Sequence, residues 1–303
     1  PALGAAGRVA EGERSVGTLE ILGRHASGLL FPTCPQTDHS FLKQPGSEGG
    51  LYPLFGGGAL ALWIAALIWA LRREHASKSH ARGMRGRRRL ASALLWMALL
   101  SLPSLHLIPI GALWAGRFLF LPLIGFSLAV VALSDLLPRP LRWVPMLWLL
   151  ALVVAGTVSI RDRAFDWVSP RTLWEAEVAR HPEHAFAWKN LAVCLQRDGE
   201  VTEALVAGRR ATALWPQFGE GWLARGQIAR ALDLEEEAAS ALAEAERLLP
   251  DDATVQIERA KLEALQGRFE EAEGRLERLL ERQPGHAEAR DLLDLIRRDP
   301  RRR

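Results

Sequence analysis

Hydrophobic and polar positions change their rhythm once along this chain. Between residues 51 and 160 the apolar residues run in nearly unbroken blocks, whereas beyond residue 184 they recur at helical spacing. Four blocks approach the roughly 20 apolar residues that cross a bilayer core. They are 51–71 (LYPLFGGGALALWIAALIWAL), 90–108 (LASALLWMALLSLPSLHLI), 118–137 (FLFLPLIGFSLAVVALSDLL) and 143–160 (WVPMLWLLALVVAGTVSI). Trp and Tyr fall near several block ends, where interfacial aromatics belong. Segment 15–31 (SVGTLEILGRHASGLLF) is too short and polar to span; it predicts an interfacial or partly buried helix within residues 1–50.

The second half has a long period. Pro182, Pro216, Pro250 and Pro284 advance by 34 residues each time, as do Ala204, Ala238 and Ala272 and the turn positions Gly199, Asp233 and Gly267. Trp188 and Trp222 extend the register, and Gln256 interrupts it. A strict 34-residue period resembles tetratricopeptide repeats. Small residues at Ala192, Gly226 and Ala260 would let two antiparallel helices approach closely. Gly199 and Gly267 suit a left-handed turn after the first helix, and each proline closes the second.

The predicted fold is all-α: multi-span transmembrane helices followed by a tetratricopeptide α-solenoid. A membrane domain covers 51–160, and a bridge with a half-repeat (171–181) covers 161–184. Repeats follow at 185–218, 219–252 and 253–286, then a capping helix at 287–298 and a tail at 299–303. Such repeats present a groove to an extended peptide or a partner helix. Repeat position places Lys189, Gln196, Gln227, Arg230 and Lys261 in it. Taken singly, each reads better as a solvated helix residue; the groove as a whole carries the binding expectation.

Charge orients the spans. Residues 1–160 carry 15 Lys and Arg against 7 Asp and Glu, a net of +8; residues 161–303 carry 23 against 28, a net of −5. The run 72–89 (RREHASKSHARGMRGRRR) holds eight Lys/Arg and one Glu between two apolar blocks. It reads as a cytoplasmic loop obeying the positive-inside rule rather than as a nucleic-acid site. Loop 138–142 (PRPLR) falls on the same side. Residues 1–50, the loop 109–117 and everything after residue 160 then lie outside the cytoplasm, in the periplasm if the cell is bacterial. With only Cys34 and Cys194, no disulfide framework is predicted. Residues 1–14 show no signal-peptide pattern and begin without Met, so the expectation is the C-terminal part of a longer protein.

Chemistry-bearing motifs are sparse. No P-loop, GxGxxG, GxSxG or HExxH occurs. Pro182 separates His181 from His184, and no metal site is predicted. His75 and His80 read as solvated; His106 and Asp135 sit near span ends. Arg117 is the one charge of the external loop 109–117 and opens the third span. It offers a planar fork of donors to a phosphate at head-group depth, or snorkels there.

The stretch HLIPIGALWAGRFLFLPLIGF around Arg117 resembles a motif of the transmembrane and tetratricopeptide-repeat O-mannosyltransferase-like proteins. Those are membrane glycosyltransferases of the GT-C type. GRHASGLLFPTCPQTDHSF, RGRRRLASALLWMALLSLPSLHLIPIG and IRDRAFDWVSPRTLWEAEVARHPEHAFAWKNLA agree in order. The resemblance implies transfer of a sugar, mannose in that family, from a polyprenyl-phosphate carrier to a protein Ser or Thr. Arg117 would contact the carrier phosphate, and the repeats would recruit the acceptor or a partner. No cofactor is implied beyond the donor, and membrane lipid, carrier and a protein or peptide are the expected partners. The chain departs from the motif at Gly116, where an acid is usual, and at Phe118 and Phe120, where Tyr is common. The family's catalytic acid, in an upstream external loop, has no counterpart here, so no catalytic residue is assigned. A non-catalytic membrane-anchored scaffold is the alternative.

Overall fold

The computed structural model describes residues 23, 26, 51–71, 81–101 and 120–299. Among the described residues the secondary structure is helical, with no strand. Those up to Phe165 form one compact unit and those from Asp166 onward another.

The first unit contains α1 (Tyr52–Leu71), α2 (Ala81–Ser101), α3 (Phe120–Leu136) and α4 (Val144–Ala164). A short 3-10 turn, Arg139–Leu141, joins α3 to α4, and the Pro145 ring sits in the first turn of α4, where its missing N–H costs nothing. Two stretches, Pro53–Leu71 and Arg139–Arg161, are long and apolar enough to cross a membrane. The apolar part of α3, Leu121–Leu136, is shorter.

Residues 81–89, expected in a loop, are helical and continuous with the apolar part of α2. Arginine is a strong helix former, and no proline interrupts the segment, so the helix runs through the change from charged to apolar. Residues 72–80 and 102–108 lie outside the described residues.

Ala70, Leu90, Ala91, Leu94 and Ala132 form the unit's core, with Trp63 and Met97 against it. At Gly125 an added Cβ would lie 2.8 Å from the Met97 backbone, so α2 and α3 touch where only glycine fits. The Trp63 indole N–H donates to the Leu94 carbonyl at 3.3 Å. Leu62, Leu99, Leu128 and Val153 remain exposed.

In the second unit α5 (Pro170–Arg180) precedes three helix pairs: α6 (Ala185–Arg197) with α7 (Val201–Leu214), α8 (Gly219–Ala231) with α9 (Glu235–Leu248), and α10 (Ala253–Leu265) with α11 (Phe269–Arg282). Then comes α12 (Ala287–Arg297). Every start and end advances by 34 residues from one pair to the next. The three turn positions adopt positive φ: 86° at Gly199, 56° at Asp233 and 75° at Gly267. Ala192, Ala260, Ala204, Ala238 and Ala272 are fully buried between helices. At Gly226 a Cβ would lie 2.6 Å from Leu242 Cγ, so the small-residue requirement holds there too.

Candidate functional site on the helical repeats

The repeated turn between pairs is built the same way four times. His181, Trp215, Leu249 and Gln283 each end a second helix, their N–H groups donating to the carbonyls of Glu177, Ala211, Ala245 and Leu279. Each then precedes a proline, which forces its backbone out of the helical region. Six residues past each proline, a side chain returns to that proline's carbonyl. Trp188 Nε1 reaches Pro182 at 2.9 Å, Trp222 Nε1 reaches Pro216 at 2.8 Å, and Gln256 Nε2 reaches Pro250 at 2.9 Å. An Arg290 guanidinium nitrogen does the same for Pro284.

Gln256 therefore interrupts the residue type but keeps the bond. The third junction also explains the exchange. There Arg275 bonds Glu263 at 2.8 Å and the Gln256 amide oxygen at 2.6 Å, and contacts Glu246; Arg259 reaches Glu246 at 3.2 Å. An indole has no acceptor to offer that network; an amide does.

The predicted groove residues lie on the first helices of the pairs, and the structure groups some of them. Arg230 of α8 and Lys261 of α10 meet at one carboxylate, Glu258, at 3.1 and 3.0 Å. Lys261 also reaches Glu288 of α12 at 3.0 Å. Burial alone would lower the Lys261 pKa, but the hydrogen bonds its ammonium donates to these two carboxylates outweigh it and raise the pKa. Lys189 stands apart, 3.3 Å from Glu220 and 4.3 Å above the Phe186 ring. Gln196 and Gln227 are half-buried on α6 and α8.

Glu220, Glu258 and Glu288 escaped the sequence reading. Their signal is an acid 27 to 31 residues beyond a base, one repeat less a few positions, which places the pair on neighbouring first helices. The second helices α7 and α9 do likewise, Arg209 binding Glu237, which also takes Arg225 of α8; Arg171 of α5 binds Glu200 at the start of α7. Among the described residues no three His, Cys, Asp or Glu side chains gather to hold a metal ion. His184 faces Glu177 at 3.4 Å, both buried. Cys194 is free and buried, and burial raises its thiol pKa.

Against known proteins, no protein-family model matches the chain. It is similar to the protein O-mannosyl-transferase Tmtc3 of Drosophila melanogaster. The identity is 27% over 168 residues, 54% of this chain and 18% of that protein. The chain thus spans less than a fifth of the length of the curated relative it matches. A likeness of this strength supports kinship with that family and leaves donor and acceptor open.

Arg117 lies outside the described residues, as does His106. Asp135 is described: it bonds Arg89 of α2 at 2.6 Å, which ties the last residue of the basic run to the end of α3. Residues 86–89 of α2 and the turn after α3 thus lie at one end of this unit.

Proposed function

We propose that this chain is part of a membrane glycosyltransferase that moves a sugar, mannose by family resemblance, from a polyprenyl-phosphate carrier to a protein Ser or Thr. The acceptor oxygen attacks the anomeric carbon while an upstream carboxylate takes its proton, and the carrier phosphate departs with the bonding electrons. Arg117 steadies that phosphate, and the repeats, read as tetratricopeptide repeats outside the cytoplasm, hold the acceptor or a partner. One observation carries the reading: the identity with an O-mannosyl-transferase over more than half of the chain. The apolar stretches Pro53–Leu71 and Arg139–Arg161 support its placement in a membrane.

The test is sugar transfer from a polyprenyl-phosphate donor by the full-length protein in bilayers, with Arg117→Ala and Arg117→Lys beside it. Loss of a charge-assisted bidentate contact should lower transfer by on the order of 10- to 100-fold in the alanine variant. Equal transfer by all three proteins would remove Arg117 from the site. A membrane-anchored scaffold is the second reading, favoured by the extent of the helix pairs, which run from Ala185 to Arg282. It predicts no transfer by the full-length protein and undiminished partner capture.

A further inference from the structure

We propose that the arginine-bearing end of the first unit binds the headgroup phosphate of an anionic phospholipid through Arg88, Arg139 and Arg142. The inference rests on the membrane placement proposed above and not on sugar transfer.

Three elements bring their charges to one level. Arg87 lies over the Trp69 ring near the end of α1, 4.3 Å from its centroid, and Arg89 bonds Asp135 near the end of α3. The Arg142 Nε–H donates to the Leu137 carbonyl at 3.3 Å, folding the turn after α3 onto the same end. Arg87 and Arg89 are thus held by the protein's own ring and carboxylate. Arg88 and Arg139 are exposed, and Arg142 is half-buried with its terminal nitrogens left for another acceptor. Among the described side chains there, Arg87, Arg88, Arg89, Arg139 and Arg142 stand against the single carboxylate of Asp135, which Arg89 engages.

The change from charged to apolar falls between Arg89 and Leu90, with Leu95, Trp96 and Leu99 exposed on the next turns of α2. Trp69 and Trp143, both exposed, mark the same level. Indoles favour the interface between hydrocarbon and headgroups. A planar guanidinium just beyond them sits at phosphate depth and can bind phosphate through two parallel hydrogen bonds. Exposed apolar surface directly beside the cations fits a lipid, which supplies acyl chains and phosphate together, and does not fit a nucleic acid.

The full chain is reconstituted into vesicles of phosphatidylcholine alone, or of three parts phosphatidylcholine to one part phosphatidylglycerol. It is then re-extracted in neutral detergent, and retained lipid is counted by native mass spectrometry. The expected result is selective retention of phosphatidylglycerol, weakened by salt. It should fall about five-fold for each arginine changed to glutamine and on the order of 100-fold in the R88Q/R139Q/R142Q variant. The corresponding lysine variant should lie between, keeping charge but losing the paired bonds. Equal retention of both lipids, or an unchanged triple variant, overturns the proposal while leaving the membrane placement intact. Displacement of the lipid by inorganic phosphate or by duplex DNA overturns the lipid assignment. A wild-type chain that enters neither vesicle overturns this proposal and the membrane placement together.

Discussion

Two glycines inside helices of the repeats allow steric packing to be separated from helix propensity. Gly226 lies within α8 and Gly274 within α11. Replacing either by alanine removes the same backbone penalty, a gain of about 1 kcal/mol. Their surroundings differ. At Gly274 the new Cβ would meet only a terminal nitrogen of Arg278 at 3.5 Å, an ordinary contact with a flexible chain. At Gly226 it would lie 2.6 Å from Leu242 Cγ, 2.8 Å from Cδ2 and 3.3 Å from the Leu242 backbone nitrogen. Leu242 is 0% exposed and has nowhere to retreat. Forcing a methyl into such a core costs about 1–3 kcal/mol.

Gly274→Ala should therefore stabilise its region by about 1 kcal/mol, and Gly226→Ala should destabilise its own by about the same. The separation of about 2 kcal/mol is about 30-fold in the local opening equilibrium. Peptide-resolved amide hydrogen exchange on the full chain reads it directly: α8 and α9 should exchange faster in Gly226→Ala, and α11 slower in Gly274→Ala. If both variants slowed exchange equally, the close approach of α8 and α9 would be refuted.

Glu237 supplies a pH dependence. The Arg209 hydrogen bond, then burial working against it, then Arg225, leave its carboxyl pushed down from 4.5 to about 2. Because the folded value lies below the unfolded one, its stabilisation is complete above pH 4.5 and is lost as pH falls through 2. Screened by solvent around Arg209, the effect is on the order of 1 kcal/mol. Thermal melts between those limits should show a flatter acid slope in Glu237→Gln; an unchanged slope would remove the pair from the stability of the array. Trp222→Phe keeps an aromatic ring, though a smaller one, and loses the bond to Pro216, so its region should open more easily by about 1 kcal/mol or more. Gln256→Leu should lose more, since that amide also accepts from Arg275; exchange in α10 measures it. Asp233→Gly should raise stability by about 0.5–1 kcal/mol, because Asp233 holds the left-handed φ of 56° that glycine adopts freely. A loss of stability there would count against the turn.

The 34-residue plan was legible because its parts obey local rules. A proline stops a helix that would otherwise run past its first turn, a glycine accepts positive φ, and a small residue is required where two helices touch. By residue type Gln256 interrupts the register; by hydrogen-bonding capacity it keeps it. The partners of the groove bases were not legible for another reason. Glu258 gathers Arg230 and Lys261 only once neighbouring first helices are stacked, and their offset follows from the stacking rather than from the period. Composition makes the basic run a loop, yet 81–89 holds no proline and forms a helix. For Arg117 the position in the sequence leaves phosphate binding and snorkelling equally open, and the resemblance adds the carrier phosphate.

The ion pairs between neighbouring helices have a genetic consequence. Proline, turn and small-residue positions are common to all three helix pairs, so a gene that gained, lost or exchanged a whole unit would still encode well-formed turns. The charges would not follow. Joining the first pair directly to the third would set Lys189 against Thr254 in place of Glu220. Glu246 meets Arg275 with the sign opposite to that of Arg209 with Glu237, at positions that do not correspond. Recombination between repeats is thus allowed by the fold and marked by the electrostatics. The order of the units is written in residues that the 34-residue period does not contain.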